Sequence, residues 1–197
     1  MIISTEALKL KYSNYSNPLD KIKRESQKGN IIRLNRGIYE TDRNVSPYLL
    51  ASVILSPSYL SFEWALSYYG LIPERVYSIT SASLMVRKNK TFVNDFGRYE
   101  YSDIPVNAFS EGLTLLSEGE YSCRIATKEK AICDSLSKWP VVHSVKELRV
   151  LLFDDKRIYE EEFLTCDFKL LTRLAKLYKK TNLELLIKLI EKEYKNE

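Results

Sequence analysis

A chain of 197 residues that is 45% hydrophobic, with six Gly and six Pro, is long enough for one large or two small domains and too apolar to be disordered. Its three cysteines, Cys123, Cys133 and Cys166, lack the close paired spacing of a zinc site and cannot close a disulfide framework, so they read as buried thiols in a reducing compartment. The formal net charge of +4 sits at one end: residues 1–39 carry eight Lys and Arg against three acidic residues, a net +5, leaving −1 for residues 40–197. Such an excess is a local electrostatic footprint for a polyanion. The opening MIISTEALKLKYSN has no apolar run behind a basic segment and is not a secretory signal. The longest nearly apolar run, residues 48–55, is too short to span a bilayer. The chain therefore reads as soluble and cytoplasmic, with no membrane partner.

In chain order, Ser4 or Thr5 caps a first helix through Tyr12, and polar residues 13–16 make a turn. Asn17-Pro18 opens a second helix that Gly29 terminates, with Leu19 and Ile22 directed to a core. On it Asn17, Lys21, Arg24 and Lys28 recur at i, i+4, i+7 and i+11, one stripe on an outer face. Ile31, Ile32 and Leu34 then lead into Asn35-Arg36-Gly37, and Ile38-Tyr39 lead out: a basic hairpin turned at Gly37, since only Gly adopts left-handed dihedrals without cost. Helix, turn, helix, basic wing is the order of a winged helix-turn-helix. A charge stripe alone is commonly no more than a solvated face, and the adjoining Arg33/Arg36 hairpin is what points to DNA. Asn17, Lys21, Lys23, Arg24, Lys28, Arg33 and Arg36 are the candidate DNA-binding residues, neutralising phosphates and, near the start of the second helix, reaching base edges.

Ser46-Pro47 and Ser61 are expected to cap two short apolar helices, the second ended by Gly70. From Val76 to Ala126 the period changes to two. Hairpins are expected around residues 94–97 and 117–120, making an antiparallel sheet with polar residues outward. Thr127 caps a helix with Ala131, Ile132, Ser135 and Leu136 on its apolar face. Ser144 with Glu147, and Thr181 with Glu184, read as capping boxes, the first opening a helix through Leu152; Asp167 begins another helix. The last two helices read as an antiparallel pair packing on the body. The fold class is α+β: a winged helix-turn-helix over residues 1–44, then a mixed domain over 45–197 with antiparallel strands and a helical C-terminal part.

Catalytic chemistry is sparse. His143 is the sole histidine and has no evident carboxylate or cysteine neighbour, so it reads as structural. There is no phosphate-cradling glycine loop and no Gly-x-Ser-x-Gly elbow. Asp154-Asp155-Lys156 and Glu129-Lys130 are the nearest approach to a metal-dependent nuclease, without the strand–turn frame that converges carboxylates on an ion. The chain does not read as an enzyme, and no cofactor is implied.

The blocks Arg33-Leu34-Asn35-Arg36-Gly37-Ile38-Tyr39, Pro57-Ser58-Tyr59-Leu60-Ser61, Ala65-Leu66 and Tyr69-Gly70-Leu71 resemble the AbiEi family of antitoxins. So does Ala126-Thr127-Lys128-Glu129-Lys130-Ala131-Ile132-Cys133-Asp134, which is similar to that family's Glu-Lys-Ala-x-x-Asp segment. The order of the blocks matches from about Ile31 to Leu136. The resemblance implies a type IV toxin–antitoxin system of phage defence. Its antitoxin represses its own operon by binding inverted repeats in double-stranded DNA, pairing as a homodimer there, and antagonises a nucleotidyltransferase toxin, usually without a stable complex. By position it places Lys21, Arg24 and Lys28 on the recognition helix and Arg33 and Arg36 on the wing. This sequence departs from the family at its start, where the family has a further helix. The alternatives are a protein or RNA interaction module without DNA binding, and a nuclease relying on Asp154, Asp155 and Lys156.

Overall fold

The computed structural model describes residues 1–84, 86–87 and 89–194. A short strand, β1 (Ile2–Ser4), runs straight into α1 (Thr5–Lys11), and the Ser4 hydroxyl accepts the Ala7 N–H at 3.1 Å, so the last strand residue is also the helix cap. α2 (Pro18–Gln27) is opened by Asn17, whose Oδ1 accepts the N–H groups of Leu19 and Asp20. Pro18 takes the first helical position, where its missing N–H has no partner to lose. β2 (Ile32–Asn35) and β3 (Ile38–Glu40) form the expected hairpin, with Gly37 at φ +84° in the turn. β1 pairs antiparallel with β3, giving a three-stranded sheet of order β1-β3-β2. Sequence reading has no strand at Ile2–Ser4, because three residues are too few for alternation to register. Leu8, Ile22 and Ile31 make a small core here, with Ile3, Tyr12 and Tyr39 against it.

A 3₁₀ turn at Pro47–Leu50 leads through α3 (Ala51–Ile54) to β4 (Ser58–Leu60), α4 (Phe62–Tyr68) and β5 (Ile79–Ser83). β6 (Lys90–Asn94) with β7 (Gly97–Asp103), and β8 (Leu113–Glu118) with β9 (Tyr121–Ala126), are the two expected hairpins. The sheet they enter is not antiparallel throughout. Its order is β6-β7-β5-β4-β9-β8, with β5 parallel to β7 and β4 parallel to β9. Short turns force hairpin partners antiparallel, but β4 and β5 join the hairpins at the centre from earlier in the chain. Both are buried on nearly every residue, so β4 shows no alternation and escapes a period-two reading. Tyr99 and Tyr101 on β7 are fully buried, and their hydroxyls donate to the carbonyls of Pro47 and Ala51, which seats the residue 47–54 segment.

α5 (Lys128–Leu136) is buried from Glu129 onward and packs against α4 and α8 (Phe168–Lys176). α6 (Val145–Arg149) continues as a π-helical segment, Val150–Asp155, in place of the single helix through Leu152 that the sequence implied. α7 (Glu160–Leu164) follows, and α9 (Thr181–Glu193) packs against α6 and α8. Thr127, Ser144 and Asp167 cap as expected. Three other hydroxyl caps do not form. Ser46 donates to Glu118 and Ser61 to Asp134, while Thr181 lies inside a helix whose Lys180 cap gives only its carbonyl. One large core runs from Leu34 to Ile190. Among the described residues no helix is long and apolar enough to cross a membrane.

Candidate functional site

The orientation of α2 is set by what it buries. Ile22 and Glu25 are its two buried side chains. The Glu25 carboxylate accepts from Asn30 Nδ2 at 2.7 Å and from Lys21 Nζ at 2.8 Å, and these two bonds hold its pKa below the ordinary value. Lys21 is correspondingly raised by Glu25, and its ammonium also lies over the rings of Tyr15 and Tyr12, at 4.9 and 5.8 Å. The outer stripe read from the sequence is therefore only partly free. Lys21 is half-buried and engaged inward, and the Asn17 amide caps the helix with Oδ1 while its Nδ2 donates to Asp20 at 2.9 Å. Leu19, expected in the core, is 54% exposed. At about 100° per residue, Lys23, Arg24 and Gln27 share the arc facing away from Ile22 and Glu25, with Leu19 and Lys28 on its two flanks. Lys23, Arg24, Gln27 and Lys28 are all exposed. The signal that would have placed this arc is the acid Glu25, one turn from Ile22 and within reach of both Lys21 and Asn30.

Alternation along β2 buries Ile32 and Leu34 and turns Arg33 outward. Arg33 Nε lies 3.4 Å from the Asn35 carbonyl, and the Arg36 N–H donates to Asn35 Oδ1 at 2.6 Å. The other end of Asn35 donates to the Ile54 carbonyl at 2.8 Å, and Asn94 Nδ2 donates to the Leu34 carbonyl at 3.1 Å. The hairpin is thus fixed to the body while both arginines stay exposed. At the far end of β3, buried Glu40 accepts from the Thr41 and Asp42 N–H groups, the Tyr121 hydroxyl and the Met1 amino group. Burial pushes the Glu40 carboxyl up, but these donors outweigh it and hold it below the ordinary value. Tyr121 is pushed up to about 12 by burial and by Glu40. Among the described residues Lys23, Arg24, Lys28, Arg33 and Arg36 form no ion pair.

A second polar assembly lies in the core. Lys130 and Asp134, one turn apart on α5, are both fully buried with Nζ and Oδ1 3.1 Å apart. Lys130 also donates to the Tyr178 hydroxyl, which donates in turn to Asp134 Oδ1 at 2.5 Å. Asp134 Oδ2 accepts from Tyr59 at 2.9 Å and Ser61 at 2.6 Å. Burial, followed by the Asp134 charge, pushes both tyrosine hydroxyls far above their ordinary pKa. The cluster ties α5 to β4 and to the end of α8. Sequence reading put Glu129, Lys130 and Asp134 on one helix but had no signal for partners so distant in the chain. Glu129 has a separate task, accepting the Asp167 N–H at 3.0 Å.

The remaining candidates are dispersed. Asp154 and Asp155 are exposed at the end of the π-helical segment, while Lys156 lies over the Trp139 ring at 5.3 Å. His143 is exposed, and its N–H donates to Glu147. The three cysteines are free and buried, and burial pushes Cys123 to about 11 and Cys166 to about 12. Among the described residues no group of three or more His, Cys, Asp or Glu is placed to hold a metal ion. No family model matches the chain, and no curated protein matches it.

Proposed function

We propose that the chain is a DNA-binding autorepressor that also serves as the antitoxin of a type IV toxin–antitoxin system, acting by binding and without catalysis. The observation that carries the DNA reading is the exposure of Lys23, Arg24 and Lys28 on α2 and of Arg33 and Arg36 on the adjoining hairpin. The order β1-α1-α2-β2-β3, with the hairpin closed by β1, supports reading this unit as a winged helix-turn-helix whose recognition helix is α2. The antitoxin reading rests on the resemblance to the AbiEi family, and one structural fact supports treating its blocks together. Tyr59 and Ser61 from one block bond Asp134 from another, so segments far apart in sequence meet at one buried point.

In this reading the cations neutralise phosphates, two copies pair on inverted repeats, and a nucleotidyltransferase is the antagonised partner in the cytoplasm. Titration of the full chain onto its own upstream DNA, at several salt concentrations, tests it. Each neutralised phosphate steepens the fall of log K with log salt by about 0.9. Arg36→Glu is expected to weaken binding and flatten that slope. Weak binding without a salt slope, unchanged in Arg36→Glu, overturns the repressor reading. Growth rescue on co-expression with a neighbouring nucleotidyltransferase tests the antitoxin part.

A second reading, an interaction module for protein or RNA, is favoured by an open groove of about 910 Å³ between α8 and α9, lined by Lys169, Arg173 and Lys176 together with Phe168 and Ile190. Co-purification with a neighbouring gene product, together with no DNA shift, supports that reading instead.

A further inference from the structure

Resting on the DNA-binding reading, we propose that Leu19 is a base-reading residue of α2, selecting a thymine through its C5 methyl group in the major groove. A recognition helix meets base edges with its N-terminal residues, and Leu19 is the second residue of α2. It is apolar yet 54% exposed, on the flank of the helix next to outward-facing Lys23. The nearby residue best suited by chemistry to read a base is already engaged. Asn17, the type that pairs bidentately with adenine, has Oδ1 on the Leu19 and Asp20 amides and Nδ2 on Asp20. Its amide therefore stands as a cap and leaves the groove-facing end of the helix to an aliphatic side chain. The thymine methyl is the apolar feature of the major-groove edge, and contact with it needs no polar partner. Lys23, one turn further along the helix, and Arg24 beside it supply the cations that hold the flanking phosphates.

The test exchanges thymine for deoxyuracil, which removes the methyl and keeps every hydrogen-bonding group. The full chain is first footprinted on its own upstream DNA, and each thymine in the protected half-site is then replaced singly. At one position the wild-type chain is expected to bind about fourfold more weakly for the lost methyl. Leu19→Ala is expected to bind thymine and deoxyuracil DNA equally at that position, with the salt slope of the wild type intact, and Leu19→Met to restore the preference. Because Leu19 is exposed, the alanine variant keeps its fold, which a melting curve verifies. Wild-type indifference to every replacement overturns the proposal while leaving DNA binding standing, and so does a thymine preference that survives in Leu19→Ala. Absence of any salt-dependent binding overturns the proposal together with the reading beneath it.

Discussion

Asp134 accepts four hydrogen bonds from side chains in a fully buried position, and its environment makes it intolerant of change. Its carboxylate faces Lys130, Tyr178, Tyr59 and Ser61 with no access to water. Removing one member of a buried ion pair leaves the other charge unmatched in a medium that cannot solvate it, so Asp134→Asn is expected to cost about 3–5 kcal/mol. Ser61→Ala removes one hydrogen bond to a charged group and is expected to cost about 1.5–3 kcal/mol. Ser61→Asp discriminates between the two roles this serine has been given. At a helix cap aspartate replaces serine freely, but beside Asp134 it adds a second carboxylate without water. Ser61→Asp should therefore be more damaging than Ser61→Ala. Urea midpoints at unchanged m-value give the ordering, and an aspartate variant as stable as wild type would return Ser61 to the role of cap.

Helix starts show how far local chemistry reaches. Asn17 satisfies two orphan amides of α2, whereas Thr181 satisfies none in α9. Asn17→Ala is accordingly expected to cost about 1 kcal/mol and to speed hydrogen exchange at Leu19 and Asp20, while Thr181→Ala stays within about 0.5 kcal/mol. Equal losses at the two sites would contradict the geometry. The same contrast explains which elements were legible in the sequence. Asn17-Pro18, the Gly37 turn, and the Ser144 and Glu147 pair are local signals complete within a few residues, and each is realised. Ser46 and Ser61 carry the same local signal, yet carboxylates from elsewhere in the fold, Glu118 and Asp134, take their hydroxyls. β4 escapes a period-two reading because a strand buried on every residue has no alternation to show, and β5, though inside the period-two stretch, carries no local signal for its parallel partner. Leu19 lies three residues from Ile22 and so reads as core, yet the helix buries Glu25, held by Lys21 and Asn30, beside Ile22 and leaves Leu19 on an exposed flank. Of the site, the cations of the hairpin were legible and the partners of Asp134 were not, since Tyr59, Ser61 and Tyr178 lie 75, 73 and 44 residues away.

The N-terminal unit has a core of three buried side chains, Leu8, Ile22 and Ile31, while Leu34 of its hairpin belongs to the large core of the body. So small a cluster leaves the position of the unit to its attachments, which besides the packing of Leu34 and Ile38 on the body include Asn35 on Ile54, Asn94 on Leu34 and Glu40 on Tyr121. Of these, Glu40 alone titrates in the acid range. Its pKa is held below the ordinary glutamate value, because the Met1 amino group, two backbone amides and the Tyr121 hydroxyl together outweigh burial. A carboxyl depressed on folding adds stability that is fully present above its unfolded value, about 4.3, and is lost as pH falls through the lower folded value. The wild-type chain should therefore lose its advantage over Glu40→Gln as pH falls below about 4.3, having exceeded it by about 1.5–3 kcal/mol at neutral pH. Amides of β1 and β3 should lose exchange protection in that window before those of the six-stranded sheet, since the contact that fails is the one between the two units. Melting curves of both proteins from pH 7 to 3, with exchange measured at each end, settle it. A gap between wild type and Glu40→Gln that is the same at every pH would mean that the Glu40 carboxylate does not fasten the hairpin, and that the basic surface is held in place by Asn35 and Asn94.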